Sequence, residues 1–119
     1  MISQGLLQKL LDFRRERDWE QFHNLRTLST SIVLEAAELA EFSQWAKDEE
    51  LSEIIHERKQ EIEHEIADIA ILLSFLSHDL GVDIEQAVAR KLEINKQRYP
   101  ADKAKGTAKK YNRLEESPP

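Results

Sequence analysis

The chain of 119 residues predicts an all-α fold, an antiparallel bundle of about four helices, and three observations predict it. Apolar residues recur at intervals of three and four through most of the first hundred positions, the period of a helix buried along one stripe. Glycine and proline occur only three times each, with 40% hydrophobic and 34% charged residues, a balance that suits helices better than many short strands and turns. Gly81 and Pro100 fall where apolar patterns stop. The length suits one domain, expected over 1–100, with a basic, flexible tail over 101–119.

The first segment is expected from about Ser3 to Arg17, with Leu6, Leu7, Leu10, Leu11 and Phe13 at helical spacing. The aromatic stretch from Asp18 to Asn24 keeps no period and reads as a connector. A second helix is expected from about Thr27 to Ala46 and a third from about Ser52 to Leu80. Gly81 supplies the left-handed stop. Asp83, with Gln86 three residues on, resembles a capping box for a fourth helix over about Ile84 to Arg98, which Pro100 terminates. Beyond it, Lys103, Lys105, Lys109, Lys110 and Arg113 come with little hydrophobicity, the composition of a mobile segment.

Composition excludes several functions. A formal charge of −6 argues against nucleic-acid binding, which needs a clustered positive surface. The absence of cysteine removes disulfides, zinc-thiolate sites and thiol catalysis. No apolar run approaches the ~18 residues of a membrane span, and no basic region precedes an apolar leader, so a cytoplasmic protein that does not engage membranes is expected.

Chemistry is carried by acids in apolar company. At roughly 100° per residue, Glu35 lies inside the arc of Leu28, Ile32, Leu39 and Phe42, and Glu65 inside that of Ile62, Ile69, Leu72, Leu73 and Leu76. A carboxylate withdrawn from water costs several kcal/mol unless it is paired or bound to metal. Residues three apart on a helix differ by about 60° and ~4.5 Å of rise, so Glu35 with Glu38, and Glu65 with Asp68, can each grip one ion. The turn between the helices brings the two pairs face to face. Four hard oxygen ligands suggest Mg²⁺, which is suited to hold phosphate oxygens in turn. A single Glu-x-x-Glu would be an ordinary solvated face; two, each inside an apolar arc, are not. Glu61-x-x-His64 has the ligand spacing of di-iron bundles, but that site wants the pair twice and here it occurs once.

Glu35-x-x-Glu38 and Glu65-x-x-Asp68 on successive helices resemble the signature of the all-α nucleoside-triphosphate pyrophosphohydrolases, the MazG and dimeric-dUTPase superfamily. The stretch from Glu16 to His23, the segment Glu38-Leu39-Ala40-Glu41 with Gln44-Trp45, and Glu93-Ile94-Asn95 ending in Arg98-Tyr99-Pro100 are similar to the dCTP pyrophosphatase branch. The resemblance covers residues 6 to 113. It implies hydrolysis of a (deoxy)nucleoside triphosphate between the α and β phosphates, with Mg²⁺ held by Glu35, Glu38, Glu65 and Asp68. Glu35, the more deeply set acid of its pair, is the expected base for the attacking water. Trp19 and Trp45 match positions that line the base pocket, and His23 shares that motif. Lys91 and Asn95 match positions near the phosphates, with Arg98 and Tyr99 as further candidates. Leu10 and Leu72 stand where the branch has a histidine and a tyrosine, which implies looser base discrimination.

A domain of this size leaves apolar surface uncovered, expected around Ile71, Phe75 and the Val33/Ala37 side, so a homodimer or a dimer of dimers is expected. A catalytically silent helical module with a structural ion is the competing reading of the same acids.

Overall fold

Side-chain caps set the starts of three of the helices. In the computed structural model, which describes residues 1–114, Ser3 accepts a hydrogen bond from the Leu6 amide at 3.1 Å and opens α1 (Gln4–Glu16). Asn24 and Thr27 form a reciprocal capping box that starts α2 (Leu25–Glu41). Then come α3 (Leu51–Glu57), α4 (Lys59–Leu80), α5 (Ile84–Arg98) and α6 (Ala101–Ala104). Gly81, at φ 66°, closes α4, and Asp83 caps α5 through the Gln86 amide at 3.0 Å. The all-α expectation holds: the described residues contain helices and short 3₁₀ turns and no strand. No helix among them is long and apolar enough to cross a membrane.

Three boundaries depart from the sequence reading, the first being the start of α2 at Leu25 rather than Thr27. The second helix stops at Glu41 rather than Ala46, because beyond Ala40 the backbone tightens into three-residue bonds, Ser43 N–H to Ala40 and Ala46 N–H to Ser43. The expected single helix over 52–80 is two. Arg58 leaves helical geometry at φ −110° and ψ 17°, and α3 ends there as α4 begins. Between His56 and Glu61 every residue is polar, so no buried stripe holds the axis straight through that turn.

The residues group into two units, Met1–Val82 and the remainder from Asp83. In the first, α2 packs along α4, and α1 also touches α4. Contacts run from Phe42 with Arg58, through Glu38 with Glu65, to Leu28 with Phe75, so the two long helices are antiparallel. Leu11, Leu28 and Phe75 form the buried core, rimmed by Leu7, Leu10, Ile71, Leu72 and Leu76. Phe75 and Ile71, expected on the uncovered side, are therefore core and core rim. The Val33/Ala37 side is exposed as expected, and Leu34 and Ile66 are uncovered too, Val33, Leu34 and Ile66 each being more than half exposed.

An ion pair locks α1 to α4. Arg14 is 5% exposed and donates two hydrogen bonds of 2.9 Å to the Asp79 carboxylate, its guanidinium 4.7 Å above the Phe75 ring. The bonds from Arg14, with its charge, hold the Asp79 carboxyl below its ordinary range.

In the second unit, Tyr111 packs edge-on against Tyr99, with ring centres 6.2 Å apart, and lies under the Arg98 guanidinium at 4.7 Å. Residues 101–114 thus carry α6 and a 3₁₀ turn at Tyr111–Arg113. The end of the expected tail, 115–119, lies outside the described residues.

Asp79→Asn preserves shape but removes the charge opposite a buried guanidinium, and should lower unfolding free energy in urea by about 2 kcal/mol at neutral pH. Because the Asp79 pKa is lowered by folding, that contribution is present above the ordinary value of 3.8 and lost as pH falls through the lowered one. The two proteins should converge in acid; a difference that persists there, or none at neutral pH, would contradict this account of the joint.

Candidate active site

Glu35 and Glu38 project from successive turns of α2, and Glu65 faces them from α4. Oxygens of the three carboxylates lie within 4.8 Å of one another. Glu35 is half-buried, Glu38 exposed and Glu65 half-buried. One oxygen of Glu35 and one of Glu65 are out of contact with solvent and have no hydrogen-bond partner. Two ionised carboxylates are both acceptors, so only a shared proton or a cation can satisfy that pair. Bonding to Glu35, loss of hydration and then Glu38 push the Glu65 pKa up to about 7.

Every donor in this group is a carboxylate oxygen, the ligand set of a hard divalent cation rather than of zinc or iron. The two unsatisfied oxygens are the structural sign that the cluster fits one. Asp68, the fourth expected ligand, lies one turn beyond Glu65, is exposed and is not part of the converging trio.

A cleft of about 460 Å³ opens beside the cluster, lined by Glu38, Glu41, Phe42, Arg58, Glu61 and Glu65. Arg58 was not singled out by its sequence context. The signal that would have found it is the lapse in apolar residues at 56–61, since the helix break places its side chain in the cleft.

The expected base-binding residues fall in two connectors, Trp19 and His23 on either side of the 3₁₀ turn Glu20–Phe22 and Trp45 after α2. Trp45 stands in the turn after α2, three residues from Phe42, and is 89% exposed. Trp19 follows α1 and meets the Phe13 ring edge-on at 5.6 Å. His23 belongs to the α1–α4 joint: its Nδ1 lies 3.3 Å from an Arg14 nitrogen and its ring 5.4 Å from Phe75. Arginine only donates, so Nδ1 accepts, and burial followed by the Arg14 charge lowers the His23 pKa against the opposing pull of Asp79. In the second unit, Lys91, Asn95 and Arg98 lie along α5, Asn95 half-buried, and Tyr99 caps that helix through a bond from its amide to the Asn95 carbonyl.

Residues 30–114 match the model of the MazG-like family. The chain is 41% identical over 105 residues to dCTP pyrophosphatase 1 of Mus musculus and 39% identical over the same length to that of Homo sapiens, covering 87% of this chain in each case. It spans 62% of the length of these relatives. The crystal structure of a pyrophosphatase from Archaeoglobus fulgidus superposes with a TM-score of 0.78 at 41% identity, over 81% of this chain and 90% of that one.

The shared proton gives the cluster a measurable signature. Divalent cation binding at pH 6, followed calorimetrically in buffers of different ionisation enthalpy, should release about one proton. Above the Glu65 value of about 7 the release should fall toward zero and the affinity level off. Affinity and proton release independent of pH would mean that the cation binds elsewhere.

Proposed function

Because this chain belongs to the MazG-like family, we propose that it is a Mg²⁺-dependent nucleoside-triphosphate pyrophosphohydrolase, cleaving dCTP or related dNTPs to the monophosphate and pyrophosphate. The observation that carries the reading is the convergence of Glu35, Glu38 and Glu65 around two buried oxygens with no partner, in a chain some 40% identical to dCTP pyrophosphatases.

Glu35, Glu38 and Glu65 would hold the cation, and Asp68, one turn on along α4, would be the further acid within the motif. When bound, Mg²⁺ supplies the positive charge that lets an acidic cleft accept a polyphosphate and eases deprotonation of water. Glu35, half-buried beside the exposed Glu38 on the same helix, receives the proton of the attacking water. Water oxygen bonds to the α phosphorus, the bond from that phosphorus to the bridging oxygen breaks, and pyrophosphate leaves with the electron pair. Trp19 and Trp45 stack on the base, and Lys91 and Asn95 contact phosphates, with Arg98 and Tyr99 in support. His23 acts through the α1–α4 joint. Leu10 and Leu72 pack against the core and offer no polar atom to a base edge, which supports moderate discrimination among dNTPs.

The exposed Val33, Leu34 and Ile66 beside a three-residue core support assembly as a homodimer or a dimer of dimers. Sedimentation velocity at micromolar concentration should show one of these; a monomer would refute the assembly.

Pyrophosphate release should require Mg²⁺, and Glu38→Gln should abolish it while raising stability in the absence of metal, since a repelling charge is lost. Trp45→Ala should raise KM for dCTP by an amount equivalent to ~1–3 kcal/mol with little change in kcat. Full activity of Glu38→Gln, or no release from any dNTP by the wild type, would refute the proposed reaction; an unchanged KM would return Trp45 to a packing role.

A further inference from the structure

Among the described residues five carboxylates, Glu35, Glu38, Glu41, Glu61 and Glu65, lie in or beside the cleft, and a single cation, Arg58, shares its lining. A polyphosphate entering such a cleft meets repulsion from every wall except at the metal cluster and at this guanidinium.

Arg58 is built for that position. Its amide bonds to the Ile54 carbonyl at 2.9 Å, closing α3, and its carbonyl accepts from the Ile62 amide at 3.0 Å, opening α4. The backbone is thus fixed from both sides at the break in the helix. Its guanidinium rests 5.1 Å above the Phe42 ring, which limits its sideways swing. Nε and Nη2 are both directed at one oxygen of Glu61, and Nη1 makes no hydrogen bond among the described residues. Both partners of that pair are about half exposed, a setting in which an ion pair contributes little to stability. The pair is therefore easily exchanged, whereas the guanidinium fork matches a phosphate in geometry and charge.

We infer that Arg58 is a substrate-positioning residue that leaves Glu61 to grip a phosphate of the polyphosphate chain, with Glu61 holding the fork in place until substrate arrives. The inference rests on the polyphosphate reading of this cleft, and it assigns Glu61 a competitive role: the glutamate occupies the site the phosphate takes.

Inorganic pyrophosphate with Mg²⁺ is the probe, with its dissociation constant measured by titration calorimetry so that no turnover is needed. Arg58→Gln should weaken binding about tenfold or more, as expected for a lost charge-assisted contact, at an unchanged melting temperature. Arg58→Lys should recover only part, because a point charge lacks the fork. Glu61→Gln should tighten binding several-fold by freeing the guanidinium. Lys59→Gln, which removes an equal charge from the next, exposed residue, serves as the control and should change binding less than twofold. In turnover, Arg58→Gln should raise KM for dCTP, while inhibition by deoxycytidine, which has no phosphate, stays as in the wild type.

Pyrophosphate affinity of Arg58→Gln within twofold of wild type would overturn the inference, as would an equal loss in Lys59→Gln or an absence of pyrophosphate binding by the wild type. Wild-type protein that binds pyrophosphate through Arg58 but releases none from any dNTP would refute the hydrolase reading and leave this assignment standing.

Discussion

Two like charges meet inside the α2–α4 pair, and much of the molecule is arranged around that fact. Glu35 and Glu65 each present a buried oxygen to which no described side chain donates. A helix pair built for stability alone would place leucines there, as Leu28 and Phe75 do further along the same contact. The surrounding apolar stripe is what makes the arrangement possible: it supplies enough favourable burial to hold two repelling groups in register. It also raises the electrostatic stakes, because a half-dry environment strengthens both the repulsion and any cation that relieves it.

The Arg14–Asp79 pair shows the opposite solution within the same unit. There the charges are of opposite sign and neutralise one another through two nitrogens, although the buried Arg14 Nε itself has no partner among the described residues. His23 and Phe75 complete that joint on the same guanidinium. One end of α4 is thus electrostatically closed while its middle is left open. The contrast separates a structural charge from a functional one more sharply than burial does, since Arg14 is the more buried of the two kinds.

Much of this was legible in the sequence because period and chemistry conflicted at particular positions. Glu35 and Glu65 stood out as acids on apolar arcs, and the structure brings them together with Glu38. Gly81, Asp83 and Pro100 marked their boundaries through backbone rules that hold locally. Arg58 was missed because no glycine or proline announces the break it occupies; the helix parts there for want of a buried stripe. The start of α2 at Leu25 lies two residues before the expected Thr27, because Asn24 and Thr27 cap each other without the glutamate or glutamine that usually marks a capping box. Asp68 is exposed and lies one turn beyond the converging trio, so spacing alone did not show which three acids converge.

The unbroken length of α4 has a consequence for how such a chain can change. At 1.5 Å of rise and roughly 100° of turn per residue, its 22 residues set the Glu65 carboxylate about 10 Å beyond the break at Arg58, and Asp79 about 20 Å further on. One residue inserted between any two of these points would swing everything downstream by more than a quarter turn, aiming either the acid or the aspartate away from its partner. Descendants of this sequence can therefore vary α4 by replacement but not by length. Changes of length are better absorbed in the connector at 46–50, beyond Phe42 and Trp45, than inside α4.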